Sequence, residues 1–149
     1  MAAVLVLVER TDGVVRKPTL ELLTLARRIG DPVAVVLGAA DDATVATLGE
    51  YGASDIRVVD APDLDDYLIV PAAEAVTEAA RTVDPAAVLI TSGPDGKEIA
   101  GRVAVALDSG IITDAVDIQP GADGPVVTQS VFSGTWLADS AVTAGTPVI

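Results

Sequence analysis

The sequence has no cysteine and no histidine among its 149 residues. Without cysteine the chain can form no disulfide, and it has no thiolate for a metal site or for nucleophilic attack. Without histidine it lacks the commonest general base, the Ser-His-Asp triad and the usual zinc ligand. Carboxylates and lysine remain available for chemistry, so the composition favours a protein that is not an enzyme and has no metal site.

Positive charge is also scarce, because the chain has nine Lys and Arg residues against 22 Asp and Glu residues. The net charge of −13 argues against binding to nucleic acid or anionic membranes, both of which require clustered basic side chains. It favours solubility, with an acidic docking surface as the alternative. The apolar run at residues 2–8 is too short to span a membrane and no basic segment precedes it. We therefore expect no membrane insertion and a cytoplasmic protein.

Four apolar runs predict strands, and the first of them, which lacks alternation, predicts a strand that is covered on both faces. They are residues 3–8 (AVLVLV), 33–37 (VAVVL), 56–59 (IRVV) and 87–91 (AVLIT). Helix-length segments separate them, and Pro18, Asp41 and Pro71 stand where three of these helices would begin. Alternating strands and helices predict right-handed βαβ crossovers and an α/β fold, with helices on both sides of a mostly parallel sheet. Residues 10–17 and the acidic stretch 60–67 are expected to be loops.

The pattern changes after Asp108, because the remaining apolar runs leave no room for a helix between them. These runs are residues 111–112, 116–118, 126–132, 136–143 and 147–149. They predict a β-rich tail with antiparallel pairing, appended to the α/β part. No linker or low-complexity tract divides the chain, so we expect residues 1–149 to form one domain.

The stretch TSGPDGKEIAGR, residues 91–102, follows the fourth predicted strand and opens a helix. Ligands of open α/β sheets bind at the carboxyl ends of strands, which makes Gly93, Asp95 and Lys97 candidate nucleotide-binding residues. The stretch matches neither the P-loop nor the G-x-G-x-x-G pattern. A purely structural interpretation also accounts for these residues: Asp95 caps the helix, Gly96 permits close approach, and an ion pair follows one turn later.

Several blocks of the sequence resemble the N-terminal domain of the electron transfer flavoprotein alpha subunit. The opening VLVLVER, TLELLTLARRIG and VAVVLG is similar to the family's first two strands and the helix between them. The more specific matches are TSGPDGKEIAGRVAVALDSGIITDAVDI and the later VFSGTW before TPVI. The resemblance covers essentially all 149 residues.

This resemblance implies a three-layer, Rossmann-like fold of the adenine nucleotide alpha hydrolase-like kind, with antiparallel strands at its C-terminal end. It implies pairing with a beta subunit in a heterodimer that carries one FAD and passes electrons from dehydrogenases to an acceptor system. In that family the C-terminal domain of the alpha subunit holds FAD, and none of that domain's motifs occurs in these 149 residues. We therefore expect a scaffold and subunit-interface module, an electron-carrier part that is not a catalyst and binds no cofactor by itself.

Two other functions are compatible with the residue types. One is a stand-alone nucleotide-binding α/β domain that uses the loops after the first and fourth strands. The other is a small hydrolase in which Asp95 or Asp114 acts with Lys97.

Phe132 and Trp136 are half of the four aromatic residues and are expected to lie at or near a subunit interface. Trp and Phe are large apolar groups of the kind that anchor interfaces. The alternative is that both rings pack into the core of this chain. In a continuous strand their even spacing places both rings on one face, whereas a turn at Gly134 separates them.

Overall fold

The chain folds into nine strands and five helices, and the computed structural model describes all of residues 1–149. The strands are β1 (Ala3–Leu7), β2 (Arg10–Thr11), β3 (Val14–Val15), β4 (Asp31–Leu37), β5 (Asp55–Val59), β6 (Ala87–Leu89), β7 (Ala115–Gly121), β8 (Gly124–Val131) and β9 (Trp136–Ser140). The helices are α1 (Lys17–Ala26), α2 (Asp42–Glu50), α3 (Asp63–Asp66), α4 (Val70–Val83) and α5 (Pro94–Ala106). The longest, α4, has 14 residues, and no helix combines the length and apolar character needed to cross a bilayer.

The four predicted apolar runs form one parallel sheet in the order β5-β4-β1-β6. Successive side chains of each strand point to opposite faces of the sheet. Both faces are covered over β1, β4 and β6, whereas the edge strand β5 has no fully buried residue. On one face Val4 and Val6 pack in the same core as Leu23 of α1. On the other face Leu5 packs in a second core with Val76 of α4. The fold is therefore the predicted α/β arrangement with helices on both sides of the sheet.

The direction of winding reverses between β1 and β6. The chain passes from β1 through α1 to β4 and from β4 through α2 to β5, away from β6. It then returns through α4 to β6, and α5 follows on the same face as α4. The carboxyl ends of β1 and β6 therefore border the crevice where ligands of open α/β sheets bind.

The end of the chain widens the parallel sheet beyond β6. Val148 forms parallel bridges with both Val88 and Ile111, and it lies between them. The predicted antiparallel tail is also present as a sheet in the order β7-β8-β9. Ile118 of β7 and Val127 of β8 are buried in the same core as the α1 side of the parallel sheet. One face of the antiparallel sheet thus closes that core.

Two segments that we expected to be loops contain regular structure. Residues 10–17 include a hairpin of β2 and β3, joined by Asp12 and Gly13 with φ of 51° and 79°. Positive φ at both turn residues is typical of a type I′ turn, which Asp-Gly favours. The acidic stretch 60–67 includes the single turn α3. Both elements are too short to produce a detectable period in the sequence.

The start of α2 provides a direct test of the predicted Asp41 cap. The backbone N–H of Thr44 donates a hydrogen bond of 2.8 Å to the Asp41 carboxylate, and Asp42 is the first helical residue. We expect Asp41→Ala to lower the free energy of unfolding by about 1 kcal/mol, because it leaves a helix N–H without its acceptor. Urea denaturation followed by circular dichroism measures the change. Asp42→Ala is the matched control, since Asp42 caps no N–H; an equal loss in both variants would contradict the assignment.

Candidate functional site

A crevice of about 270 Å³ opens at the reversal point, between the loops that follow β1 and β6. Its lining residues are Leu7, Val8, Glu9, Arg10, Arg16, Leu37, Asp95, Gly96 and Ile99. The apolar members come from strand ends and α5, whereas the charged members come mainly from the loop after β1. Nucleotides bind at this position in many open α/β folds. Whether this crevice can bind one depends on which of its charged side chains are already paired within the chain.

Glu9 lies at the centre of the polar contacts in this crevice. The Thr91 hydroxyl donates a short hydrogen bond to Glu9 Oε1, and Arg16 Nη1 lies 3.5 Å from Glu9 Oε2. The Glu9 backbone N–H donates to Thr19 Oγ1 at 2.9 Å, and Glu9 O accepts from the Arg16 N–H at 2.9 Å. Glu9 therefore joins the loop after β1 to the loop after β6 and to the start of α1.

Arg10 is bound by backbone carbonyl groups. Its guanidinium donates from Nη1 to the Ala39 carbonyl and from Nη2 to the Leu37 carbonyl, each at 2.7 Å. These bonds satisfy carbonyl groups at the end of β4 and beyond it. The two arginines of the crevice are therefore both engaged, one with backbone carbonyls and the other with Glu9.

The predicted helix start in TSGPDGKEIAGR is correct, but its cap is not Asp95. Gly93 is the N-cap of α5, and no side chain caps the helix. Pro94 takes the first helical position because its fixed φ suits that position and it has no N–H to satisfy. Asp95 is therefore in the first turn, where its negative charge interacts favourably with the positive end of the helix dipole.

The remaining residues of the stretch do what the structural interpretation predicted. A Cβ atom at Gly96 would overlap the carbonyl oxygen of Thr91, so this position requires the close approach that only glycine allows. Glu98 Oε1 lies 2.9 Å from Arg102 Nη2, one turn later. Lys97 points out of the crevice and reaches Asp114.

A second cavity of about 310 Å³ lies on the other side of the first turn of α5. Its walls include Leu22, Leu25, Ile111, Ile112, Ile118 and Ile149, and its rim carries Lys97 and Asp114. Lys97 Nζ donates to Asp114 Oδ1 at 2.7 Å, and this bond together with the Thr113 hydroxyl holds the pKa of Asp114 below its ordinary value. A carboxylate with a lowered pKa is a weak general base.

Of the two pairs in the hydrolase hypothesis, the structure brings together Lys97 and Asp114 but not Lys97 and Asp95. Asp95 lines the crevice at the reversal point, whereas Lys97 and Asp114 line the second cavity. Lys97 and Asp114 neutralise one another in an exposed ion pair. No group of three or more acidic side chains is arranged to hold a metal ion.

The Lys97–Asp114 pair is expected to make stability depend on acid pH. A carboxyl with a lowered folded pKa stabilises the fold above its unfolded pKa, and that contribution is lost as the pH falls through the folded value. Lys97→Met should therefore reduce the drop in unfolding free energy between neutral pH and about pH 3. Urea titrations at both pH values measure this drop. Lys97→Met in an Asp114→Asn background should change nothing further, and an unchanged drop in the single variant would contradict the prediction.

Phe132 and Trp136 lie at the tip of the hairpin formed by β8 and β9, outside the core. Phe132 is 80% exposed and Trp136 is 65% exposed, so the alternative that they pack into the core of this chain is wrong. Phe132, Ser133 and Gly134 all have positive φ, at 50°, 56° and 82°. The predicted alternative of a turn at Gly134 is therefore the one adopted.

The hairpin tip presents apolar side chains on both faces of the sheet. Trp136 pairs with Val131 and so shares the face of buried Val127, but it extends past the end of the core. Leu137, which sequence reasoning missed, pairs with Ser130 on the opposite face and is 68% exposed. Its position next to Trp136 in a strand is the sequence signal for this placement. The tip is therefore an apolar surface, here called the hairpin tip and comprising Val131, Phe132, Trp136 and Leu137.

Comparison with known proteins identifies the family. Residues 4–149 match the model of the electron transfer flavoprotein domain. The chain is 42% identical over 151 aligned positions to the electron transfer flavoprotein subunit alpha of Mycobacterium tuberculosis strain H37Rv, with 100% of this chain and 46% of that protein covered. It is 33% identical to the subunit alpha of Syntrophomonas wolfei, with 100% and 47% covered. It is 32% identical to the protein FixB of Azorhizobium caulinodans, with 89% and 38% covered.

The matches extend along the whole chain but not along the whole of its relatives. The chain spans 46% of the length of the mycobacterial protein and 47% of the Syntrophomonas protein. Three observations support the same family assignment. They are the match to the family model, the parallel sheet with its antiparallel extension, and the blocks of sequence around TSGPDGKEIAGR. The chain belongs to the electron transfer flavoprotein family, a family of electron carriers, and is similar throughout its length to the alpha subunits of that family.

Proposed function

We propose that this chain is a scaffold and subunit-interface module of an electron transfer flavoprotein. In the complete protein, residues 1–149 form one domain that packs against the beta subunit, and electrons pass through FAD from dehydrogenases to an acceptor system. The module carries no catalytic residue of its own. The observation that carries the proposal is the hairpin tip, an exposed apolar surface at the end of the antiparallel sheet.

The hairpin tip has the properties of an interface anchor. Its two aromatic rings and Leu137 are largely exposed, and together with Val131 they form neighbouring apolar side chains at one end of the molecule. Neighbouring exposed apolar groups mark interaction sites more often than single ones do. Phe132 also has a left-handed backbone, which is unfavourable for a bulky residue and is typical of functional positions. A partner that covers the rings would offset that cost.

The charges of the crevice do not fit a flavin dinucleotide. FAD carries a pyrophosphate, and a site for it needs free positive groups or N–H donors. The crevice contains the first turn of α5, which no side chain caps, but it also presents the carboxylates of Glu9 and Asp95. Its two arginines already have partners. The flavin is therefore expected to bind in the part of the alpha subunit that this chain does not span. The same charges disfavour the alternative of a stand-alone nucleotide-binding domain.

Co-purification with a beta subunit tests the proposal. The chain is co-expressed with the beta subunit of a close relative, and the complex is analysed by affinity capture and size-exclusion chromatography. We expect a 1:1 complex that carries no stoichiometric FAD when only this chain and the beta subunit are present. The complete alpha subunit of the same relative serves as the positive control. A beta subunit that binds the complete alpha subunit but not this chain would contradict the proposed interface.

A further inference from the structure

We propose that the carboxylate of Glu9 acts as an internal anion that prevents the crevice from binding phosphate groups. This carboxylate takes the place that a phosphate would take between the loops after β1 and β6, and so it excludes nucleotides. The proposal concerns a different part of the molecule from the hairpin tip, so it does not depend on the docking of a beta subunit.

The groups that contact the Glu9 carboxylate are of the kind that bind phosphate. One oxygen accepts from the Thr91 hydroxyl and the other lies 3.5 Å from the Arg16 guanidinium. A hydroxyl and a guanidinium are common donors to phosphate oxygens in proteins. Here both donors are engaged by a carboxylate of the same chain, 82 residues from Thr91 in sequence.

The Glu9 carboxylate also lies beside the first turn of α5. A Cβ atom at Gly93, the N-cap of α5, would be 4.0 Å from Glu9 Oε1. Negative charge is stabilised at this end of a helix, where anions bind in many proteins. The backbone of Glu9 is fixed by its bonds to Thr19 and Arg16. The carboxylate is therefore held at this position by its main chain as well as by its own partners.

The charged side chains that an incoming phosphate would meet are either negative or already paired. Glu9 and Asp95 both line the crevice, and like charges at short range repel. Arg10 is bonded to two carbonyl groups, and Arg16 becomes available only if Glu9 releases it. Removal of the Glu9 charge therefore frees one guanidinium and removes one of the two carboxylates.

Binding of AMP and inorganic phosphate to Glu9→Gln tests the proposal by isothermal titration calorimetry at low ionic strength. Glutamine keeps the shape of the side chain and an oxygen that can accept from Thr91, so the fold should be retained. We expect Glu9→Gln to bind both ligands at least tenfold more tightly than the unmodified chain, about the effect of one charge contact. Arg16→Gln in the Glu9→Gln background should abolish the gain. Glu74→Gln, on the exposed side of α4, changes the net charge equally and should gain nothing.

A second variant keeps the proposal testable if Glu9→Gln is unstable. In Glu9→Ala the anion is missing, so added phosphate should raise the melting temperature by several degrees more than it does for Glu74→Ala. Equal shifts would mean a general salt effect and would overturn the proposal. Folded Glu9→Gln that binds phosphate no better than the unmodified chain would also overturn it, as would tight AMP binding by the unmodified chain.

Discussion

Gly96→Ala is expected to destabilise the fold by about 2–3 kcal/mol, at the upper end of the usual cost of overpacking. The added methyl group would overlap the Thr91 carbonyl oxygen, which is backbone and cannot rotate away as a side chain would. Thr91 is further held by the bond from its hydroxyl to Glu9. The first turn of α5 would therefore have to move away from the end of β6, and the core on the α4 and α5 face and the crevice would both be disturbed.

Gly101→Ala provides the matched control on the same helix. Apart from the backbone of its own helix, nothing lies within 4 Å of a Cβ built at Gly101, so alanine fits there without strain. Its higher helix propensity should stabilise the fold by about 0.5–1 kcal/mol. Urea denaturation of both variants gives the comparison. Equal effects of the two substitutions, or a neutral Gly96→Ala, would show that the helix does not approach Thr91 as closely as described.

Phe132→Ala and Trp136→Ala are each expected to weaken binding of the beta subunit by about 30-fold, the effect of losing an aromatic anchor. Their effect on stability should be small, within about 0.5 kcal/mol, because the side chains are exposed in this chain. Val105→Ala is the control, since Val105 is an apolar side chain of α5 that is 82% exposed and distant in sequence from the hairpin tip. Affinity is measured by biolayer interferometry and stability by urea denaturation. Normal binding by both folded aromatic variants, or equal weakening by Val105→Ala, would contradict the interface.

The parallel sheet could be predicted because three of its strands, β1, β4 and β6, are buried on both faces and so leave continuous apolar runs. Val4, Leu5 and Val6 contribute to two different cores, and each core requires an apolar side chain. Helix starts were predicted to within one residue, because proline and an Asp cap have strong positional preferences. Helices α1 and α4 begin one residue before Pro18 and Pro71, so each proline is the second helical residue. The cap of α5 is Gly93 and not the predicted Asp95, although both residue types suit an N-cap. Pro94 lies between them and favours the first helical position, which makes the residue before it the cap.

The contacts of the crevice could not be predicted in the same way. The bond between Thr91 and Glu9 joins residues that are 82 apart in sequence, and it exists because β1 and β6 are neighbours in the sheet. Strand order is a property of the packed fold and has no local signature in either loop. The exposure of Phe132 is similar, because it depends on three consecutive left-handed residues and on how far the hairpin extends past the core.

Hydrogen–deuterium exchange of the chain with and without a beta subunit tests the central claim most directly. The account predicts that the beta subunit slows exchange of backbone amides in residues 131–137 at the hairpin tip. It predicts little change in the loops after β1 and β6, which the bond between Glu9 and Thr91 already joins. Unchanged exchange at the hairpin tip in a complex that has formed would contradict the account.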